Sequence, residues 1–494
     1  MQHFETIIFV LTILICLLTV ANKFNLPNPV LLVIGGLIIG FIPGMPIVSL
    51  NPEVVFLIFL PPILYNAASN TSWHDFKSEI KPISTLAIAL VFFTTLAVAI
   101  FSHWMIPGFS WPLAFVLGAI VSPPDAVAAT SITKGLGLNR KVITILEGES
   151  LVNDASALIA LRFAIAAVGT GTFIFWKAGI SFLTIVAGGI VIGGIVGYLF
   201  INVHKRILNN SIISTALTLL TPFISYLVAE HFAASGVLAV VSSGLLISWR
   251  ASDIFSYQTR LRNQAVWDTL IFLLNGFIFI LIGLQLPEIL RDLSRFSVLE
   301  LTTYGLIVSA VTIAVRILWV FAAAFSSRGK TVDKDVNTWK NVAIVAWSGG
   351  RGVVSLATAL AIPLTINAQL FPLRSLILFL TFVVIFVTLV IQGLSLPLLI
   401  KMLGVKPHIS SDSEERDLRL LLASSTISFI DNDFPFVLNS VCQVQIKKPH
   451  LDVTDLLSSE REEHLPATDK SAQSNLLAAQ MEIRKFQRKF LSRC

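Results

Sequence analysis

Thirteen apolar segments, each long enough to cross a lipid bilayer, make up most of the chain before residue 402. A bilayer offers no partners to backbone N–H and C=O groups, so apolar segments of about 17–25 residues cross it as helices. The sequence therefore predicts an all-α, polytopic membrane protein of about thirteen transmembrane helices. The least distinct segments are the short second one and the pair divided at Glu230 and His231, where no loop is evident. The segments span 6–22, 28–43, 53–69, 82–102, 111–134, 142–168, 175–202, 211–230, 231–249, 265–286, 298–326, 340–364 and 372–401.

The composition excludes a soluble protein. Of 494 residues, 55% are hydrophobic and only 13% are charged, whereas about a quarter of a soluble domain is charged. The three cysteines are scattered, with no spacing typical of a disulfide framework or a zinc site, so we expect no cofactor and no redox chemistry. The net charge of +6 fits basic cytoplasmic loops better than nucleic-acid binding.

The distribution of basic residues predicts the orientation of the chain in the cell membrane. Alternate loops, from Lys23 to Lys340, carry fifteen lysines and arginines, and the opposite loops carry only four. Since basic loops stay in the cytoplasm, we expect the N-terminus outside and the C-terminus inside. The first apolar run has no basic region before it and no cleavage site, so we expect it to be retained as a helix.

A change of composition near residue 405 predicts two domains. Residues 1–405 form the transmembrane domain, and residues 406–494 form a polar, charged cytoplasmic tail with a regulatory or solubilising role. Within the tail, Leu476 to Leu491 is amphipathic and basic. This stretch either lies on anionic membrane lipid or is a solvated helix.

The sixth apolar segment begins with a cluster of acidic residues. On a helix, Glu147, Ser150 and Asp154 share one face, and Glu149 and Asn153 form an adjoining pair. A charge at the bilayer centre costs at least about 2.5–3.5 kcal/mol, so an intramembrane carboxylate indicates a functional site.

The fifth segment carries two prolines near its centre. Pro123 and Pro124 remove backbone donors, so we expect the helix to break there, with Asp125 at the start of its second half. Broken helices occur at membrane depth only inside protein or beside a wet cavity. A packing kink with a capping Asp explains the prolines but does not explain a charge at this depth.

The twelfth segment contains a matching interruption at Trp347–Gly352, where Arg351 brings a positive charge to the same depth. The fifth and twelfth segments cross the bilayer in opposite directions because they are seven segments apart. Interrupted helices at corresponding places in two antiparallel halves indicate an inverted-repeat transporter with its site at the midplane. The halves would span 6–168 and 211–401.

Two further arginines lie inside apolar segments, Arg162 in the sixth and Arg316 in the eleventh. Each either neutralises a carboxylate across the bundle or extends its head group to the membrane interface. The sequence leaves both alternatives open.

Four motifs together resemble the sodium/proton exchanger family of monovalent cation:proton antiporters, in its bacterial NhaP-type branch. The resemblance covers roughly residues 5–402, and the tail is not covered. The motifs are Phe59–Leu64 (FLPPIL), Ser122–Val127 (SPPDAV), Glu147–Asp154 (EGESLVND) and Gly350–Ser355 (GRGVVS).

The resemblance implies a homodimer in which each protomer has a dimerisation domain and a mobile six-helix core. It also implies that Asp154 binds either Na⁺ or K⁺ or a proton, that Ser150 is a cation ligand, and that Asp125 and the backbone at Pro124 lie in or beside the site.

Further residues take roles by the same resemblance. Glu149 would form a structural ion pair with Arg351, supported by Asn153, which we also count among the ion-binding residues. Asn153 in place of a second acid resembles the electroneutral members. Several relatives carry an acid where this chain has Asn66, so Asn66 is at most an accessory residue, like Glu147 and Arg162.

We therefore expect an electroneutral antiporter that exchanges Na⁺, or alternatively K⁺, for H⁺ across the cell membrane, and not an enzyme. A proton-coupled symporter or a cation channel would use the same acids. An intramembrane aspartyl protease would use Asp125 and Asp154 as a dyad that shares a proton, but it would not need the paired helix breaks.

Overall fold

The computed structural model describes residues 10, 12–17, 19, 28–42, 52–125, 140–171, 175–206, 210–326 and 339–404, and a few isolated positions beyond them. The chain divides into two compact units, Met1–Lys406 and Pro407–Cys494. Nearly all of the second unit, including 476–491, lies outside the described residues, so the roles of the tail stay predictions.

The described part of the first unit consists of helices and one two-stranded hairpin. The helix α4 contains a π-helical stretch at Thr85–Leu90. The helices are α1 Asn28–Gly40, α2 Pro52–Asn70, α3 Trp73–Ser78, α4 Ile80–Met105, α5 Trp111–Val121, α6 Arg140–Thr170, α7 Phe175–Arg206, α8 Ser211–His231, α9 Gly236–Trp249, α10 Ala251–Ile254, α11 Tyr257–Asp292, α12 Val298–Ser326, α13 Trp339–Trp347, α14 Val353–Leu360 and α15 Arg374–Leu403, and the antiparallel strands are β1 Thr365–Ile366 and β2 Gln369–Leu370.

The prediction of an all-α membrane protein is confirmed. Seven of the described helices are long and apolar enough to cross a membrane, and three shorter apolar helices accompany them. Every predicted segment from the second onward has a helical counterpart in its described part, and the described residues of the first, 10, 12–17 and 19, are helical too. The predicted second half of the fifth segment, 126–134, lies outside the described residues. One boundary was wrong: α8 and α9 do not join at Glu230 but are separated by a turn over 232–235, in which Ala233 takes a positive φ of 52°.

The helices of the first unit pack as two bundles. The scaffold bundle consists of α1, α2, α7, α8, α9 and α11, and the core bundle consists of α4, α5, α6, α12, α13, α14 and α15. The core bundle thus combines the last three segments of each predicted half.

Close backbone contacts hold the scaffold bundle together. A Cβ at Gly193 on α7 would lie 2.3 Å from the carbonyl oxygen of Ala239 on α9, and one at Gly36 on α1 would lie 2.5 Å from that of Ile280 on α11. Helices in membranes associate through such small residues because lipid supplies no hydrophobic force between them.

Candidate functional site

The two interrupted helices meet inside the core bundle. The backbone N–H of Asp125 donates to the carbonyl of Gly350 at 2.5 Å, and the Ser355 hydroxyl donates to the carbonyl of Pro123 at 3.4 Å. A Cβ at Gly352 would lie 1.6 Å from a carboxylate oxygen of Asp125. The absence of a side chain at Gly352 therefore allows the Asp125 carboxylate to pack directly against the second break.

Arg351 satisfies the carbonyl groups that the first break leaves without helical partners. Its Nε donates to Val121 O at 3.0 Å and its Nη2 donates to Ser122 O at 3.3 Å, while its Nη1 donates to the carbonyl of Gly349. The end of α5 carries the negative pole of the helix dipole, so a buried guanidinium is favourable there. The backbone N–H of Arg351 donates to the Thr388 hydroxyl on α15 at 3.1 Å.

Glu149 pairs with Arg316 and not with Arg351, so the predicted structural ion pair was wrong. Nη1 and Nη2 of Arg316 lie 2.6 Å and 3.0 Å from the two carboxylate oxygens of Glu149, a bidentate arrangement. Arg316 Nη2 also donates to Val345 O, near the end of α13, at 3.1 Å. The helices that precede the two breaks, α5 and α13, thus each have an arginine near their end, and Arg316 proves to be the one that neutralises a carboxylate.

Asn153 joins α6 to the first break. Its Nδ2 donates to the carbonyl of Pro124 at 2.8 Å, so the amide contacts the unwound backbone. The resemblance had implied instead that Asn153 supports Glu149. Asn153 is fully buried, and its Oδ1 has no hydrogen-bond partner among the described residues. A buried, unpaired amide oxygen at this place is a candidate ligand for a cation or a water.

Asp154 follows Asn153 on α6 and is 4% exposed. The two guanidinium groups that reach this depth are engaged elsewhere, Arg316 with Glu149 and Arg351 with backbone carbonyls. A buried carboxylate must be neutralised. A proton or a monovalent cation supplies one positive charge, so the arrangement favours a site that takes either.

The remaining predicted residues divide between the site and other places. Ser150 and Glu147 lie half-buried on α6, one and two turns before Asp154, and their roles as ligand and accessory residue stay predictions. Arg162 is not at the site: its Nη2 pairs with Glu230 on α8 at 2.5 Å. Asn66 lies on α2 in the scaffold bundle and accepts a hydrogen bond from Asn70 at 3.2 Å.

Sequence reasoning missed Thr388 beside the second break, and it included Ser355 only as the last residue of a motif, without a role. Both are buried hydroxyl residues in apolar helices, where threonine and serine are common and usually bond to their own helix. Nothing in the local sequence distinguishes Thr388 from the other buried threonines.

Known proteins are similar to this chain in sequence and in fold. The family model described as "Sodium/hydrogen exchanger, transmembrane" matches residues 10–402. A "Sodium, potassium, lithium and rubidium/H(+) antiporter" from Bacillus pumilus (strain SAFR-032) is 34% identical over 434 residues, which cover 85% of this chain and 65% of the relative. The chain thus spans slightly less than two thirds of that protein's length.

Two further similarities cover their counterparts almost completely. The "Na(+)/H(+) antiporter NhaH" from Halobacillus aidingensis is 31% identical over 81% of this chain and 98% of its own length. The solved structure of the sodium proton antiporter MjNhaP1 from Methanocaldococcus jannaschii aligns with a TM-score of 0.63 at 22% identity, over 82% of this chain and all of that chain. At that identity the structural likeness shows the fold alone.

Proposed function

The chain belongs to the sodium/hydrogen exchanger family, and we propose that it exchanges a monovalent cation, Na⁺ or K⁺, for H⁺ across the cell membrane, with Asp154 as the carboxylate that binds each in turn. The family and the apolar helices make it a multi-pass membrane protein.

The observation that carries this proposal is the charge balance around Asp154. Glu149 and Arg316 neutralise each other, and Arg351 is held by the carbonyls at the end of α5. Asp154 is therefore the buried acid on α6 whose charge is left for a mobile ion to balance. Because a proton and a cation neutralise the same carboxylate, binding of one excludes the other, and this exclusion is the basis of exchange.

We propose that Asp125, Ser150 and Asn153 complete the site. The Asp125 carboxylate lies at the crossing of the breaks, and Asn153 combines a buried, unpaired Oδ1 with an Nδ2 that donates to the Pro124 carbonyl. Carboxylate, hydroxyl and carbonyl oxygens are the ligands that hard cations prefer. Exchange of one proton for one cation at a single acid is electroneutral.

Transport also requires the site to reach both sides of the membrane. The site is built entirely from core-bundle helices, so the core bundle can move as one body relative to the scaffold bundle without dismantling it. We propose this elevator-like movement as the route of alternating access.

The predicted homodimer and orientation belong to the same proposal. Exposed apolar side chains on α7, such as Leu183, Val191 and Tyr198, suit either lipid or a second copy of the scaffold bundle. The excess of basic residues in alternate loops supports a cytoplasmic C-terminus.

The test uses sealed vesicles with an imposed pH gradient and a pH-sensitive dye. Added Na⁺ or K⁺ is expected to collapse the gradient in vesicles with the native protein and not with Asp154→Asn. Asp253→Asn, at an exposed carboxylate on the short helix α10, is the matched control and should transport as the native protein does.

Other outcomes would contradict the proposal. If native vesicles hold their gradient against every alkali cation over a wide pH range, the antiport function fails. A gradient that grows when cation enters would indicate a symporter. A cation conductance without proton movement would indicate a channel.

A further inference from the structure

An ion pair connects the helix that carries Asp154 to the other bundle. Arg162 lies on α6, eight residues after Asp154, and its Nη2 is 2.5 Å from Oε1 of Glu230 at the end of α8. The two side chains are 45% and 29% exposed, so the pair is not enclosed in the interior of either bundle.

Glu230 also has a hydrogen-bond partner within its own bundle. The same Oε1 accepts the backbone N–H of Gly236 at 3.3 Å, at the start of α9, where the helix dipole favours an anion. A Cβ at Gly236 would lie 2.6 Å from the ring of Tyr226 and 3.0 Å from Glu230 Oε1. The acceptor is therefore preorganised, and Arg162 is the partner that arrives and leaves with the core bundle.

A small cavity lies beside the ion pair. A cavity of about 10 Å³ lies beside Arg162, between α6, α7 and α9, and Leu158, Ile159 and Val237 line it. That volume holds about one water.

A second polar contact joins the bundles at the same end of the molecule. The Ser375 hydroxyl at the start of α15 donates to Asp292 at the end of α11 at 2.8 Å. The start of α15 lies near the end of α6, because Asn367, just before α15, donates to Gly169 O at the end of α6 at 2.7 Å.

We infer that Arg162 and Glu230 form a latch between the core and scaffold bundles, which holds the conformation seen here and opens once in each transport cycle. The inference rests on the proposed function, because only a transporter needs the bundles to separate at this end. Arg162 and Glu230 touch neither the cation nor Asp154, so they are positioning residues for the cycle.

The test measures opening directly and does not need transport. In a chain with Cys16, Cys442 and Cys494 replaced by serine, Val237→Cys places one thiol at the cavity, and its labelling by a membrane-impermeant maleimide reports separation of the bundles. Glu230→Gln and Arg162→Gln are each expected to speed labelling by about two- to fivefold, the range of a partly exposed ion pair.

The double variant and the charge reversal distinguish a latch from two separate structural effects. The double variant Arg162→Gln/Glu230→Gln should label no faster than either single one, and Arg162→Glu/Glu230→Arg should return towards the native rate. Asp253→Asn removes an exposed charge on α10, away from the latch, and should leave labelling unchanged.

A second measurement uses the chain with its native cysteines. Weakening the latch shifts the population between the two access states, so the half-saturating cation concentrations measured from the two sides should change in opposite directions. Unchanged labelling in both single variants, additive effects in the double variant, or an equal effect of Asp253→Asn would overturn the latch. If the native protein shows no Asp154-dependent exchange, the proposed function fails instead. The labelling result would still stand, because labelling does not require transport.

Discussion

The two ion pairs of α6 use the same chemistry in different surroundings. Glu149 and Arg316 lie inside the core bundle, with side chains 2% and 1% exposed, whereas Arg162 and Glu230 lie between the bundles, with side chains 45% and 29% exposed. A buried pair is costly to break because each partner is left as an uncompensated charge. An exposed pair exchanges its partner for water at little cost. The first pair therefore fixes the geometry of the site, and the second is suited to opening.

Removal of Arg316 should have the largest effect. Arg316→Ala leaves the Glu149 carboxylate buried and unpaired, and we expect the core bundle to lose about 3–5 kcal/mol of stability, measured by thermal or denaturant unfolding in detergent. Because the cost comes from the stranded charge, Glu149→Gln in the same chain should recover a large part of it.

Arg351→Ala is the matched comparison, since it tests which arginine is the partner of Glu149. It strands the carbonyls of Val121 and Ser122, at about 1–3 kcal/mol for an unsatisfied buried group. Glu149→Gln should not rescue this variant. If Glu149→Gln rescued Arg351→Ala and not Arg316→Ala, the result would support the Glu149–Arg351 pair that the sequence predicted.

This pairing also marks the limit of what the sequence predicts. The prolines at 123–124 and the glycines at 349–352 fixed the two breaks, and the charges at 147–154 identified the acidic face of α6, because each effect is local. The choice between Arg316 and Arg351 depends on how α12 is rotated against α6, 167 residues away. Likewise, the contact of Arg162 with Glu230 depends on the packing of two bundles, and the sequence could only leave its two alternatives open.

Adding a side chain at Gly352, where the two breaks cross, should have the next largest effect on stability. Gly352→Ala places a Cβ 1.6 Å from the Asp125 carboxylate, so the two breaks must shift apart. We expect a loss of about 1–3 kcal/mol in stability, typical of overpacking, together with loss of cation-driven collapse of the pH gradient.

Gly350→Ala is the control for that substitution, because nothing lies within 4 Å of a Cβ built at Gly350. Unfolding and transport should both stay close to native in this variant. Equal defects in the two variants would indicate that the segment needs glycine for its backbone and not for the approach of Asp125.

Loss of the Arg162–Glu230 ion pair between the bundles should have the smallest effect on stability. Glu230→Gln should lower the free energy of unfolding by less than about 1 kcal/mol, the range for exposed pairs, measured as for Arg316→Ala. A loss as large as that of Arg316→Ala would show that the pair is structural, and the contrast between the two pairs would disappear.

The central claim is that a proton and a cation compete for Asp154, and the most direct test is the dependence of the half-saturating cation concentration on pH in vesicles with the native protein. One-for-one competition predicts that, where Asp154 is mostly protonated, this concentration rises about tenfold for each unit that the pH falls, while the maximal rate at saturating cation stays nearly constant. A half-saturating concentration that does not change with pH, with only the maximal rate falling in acid, would place the proton on another group and contradict the account.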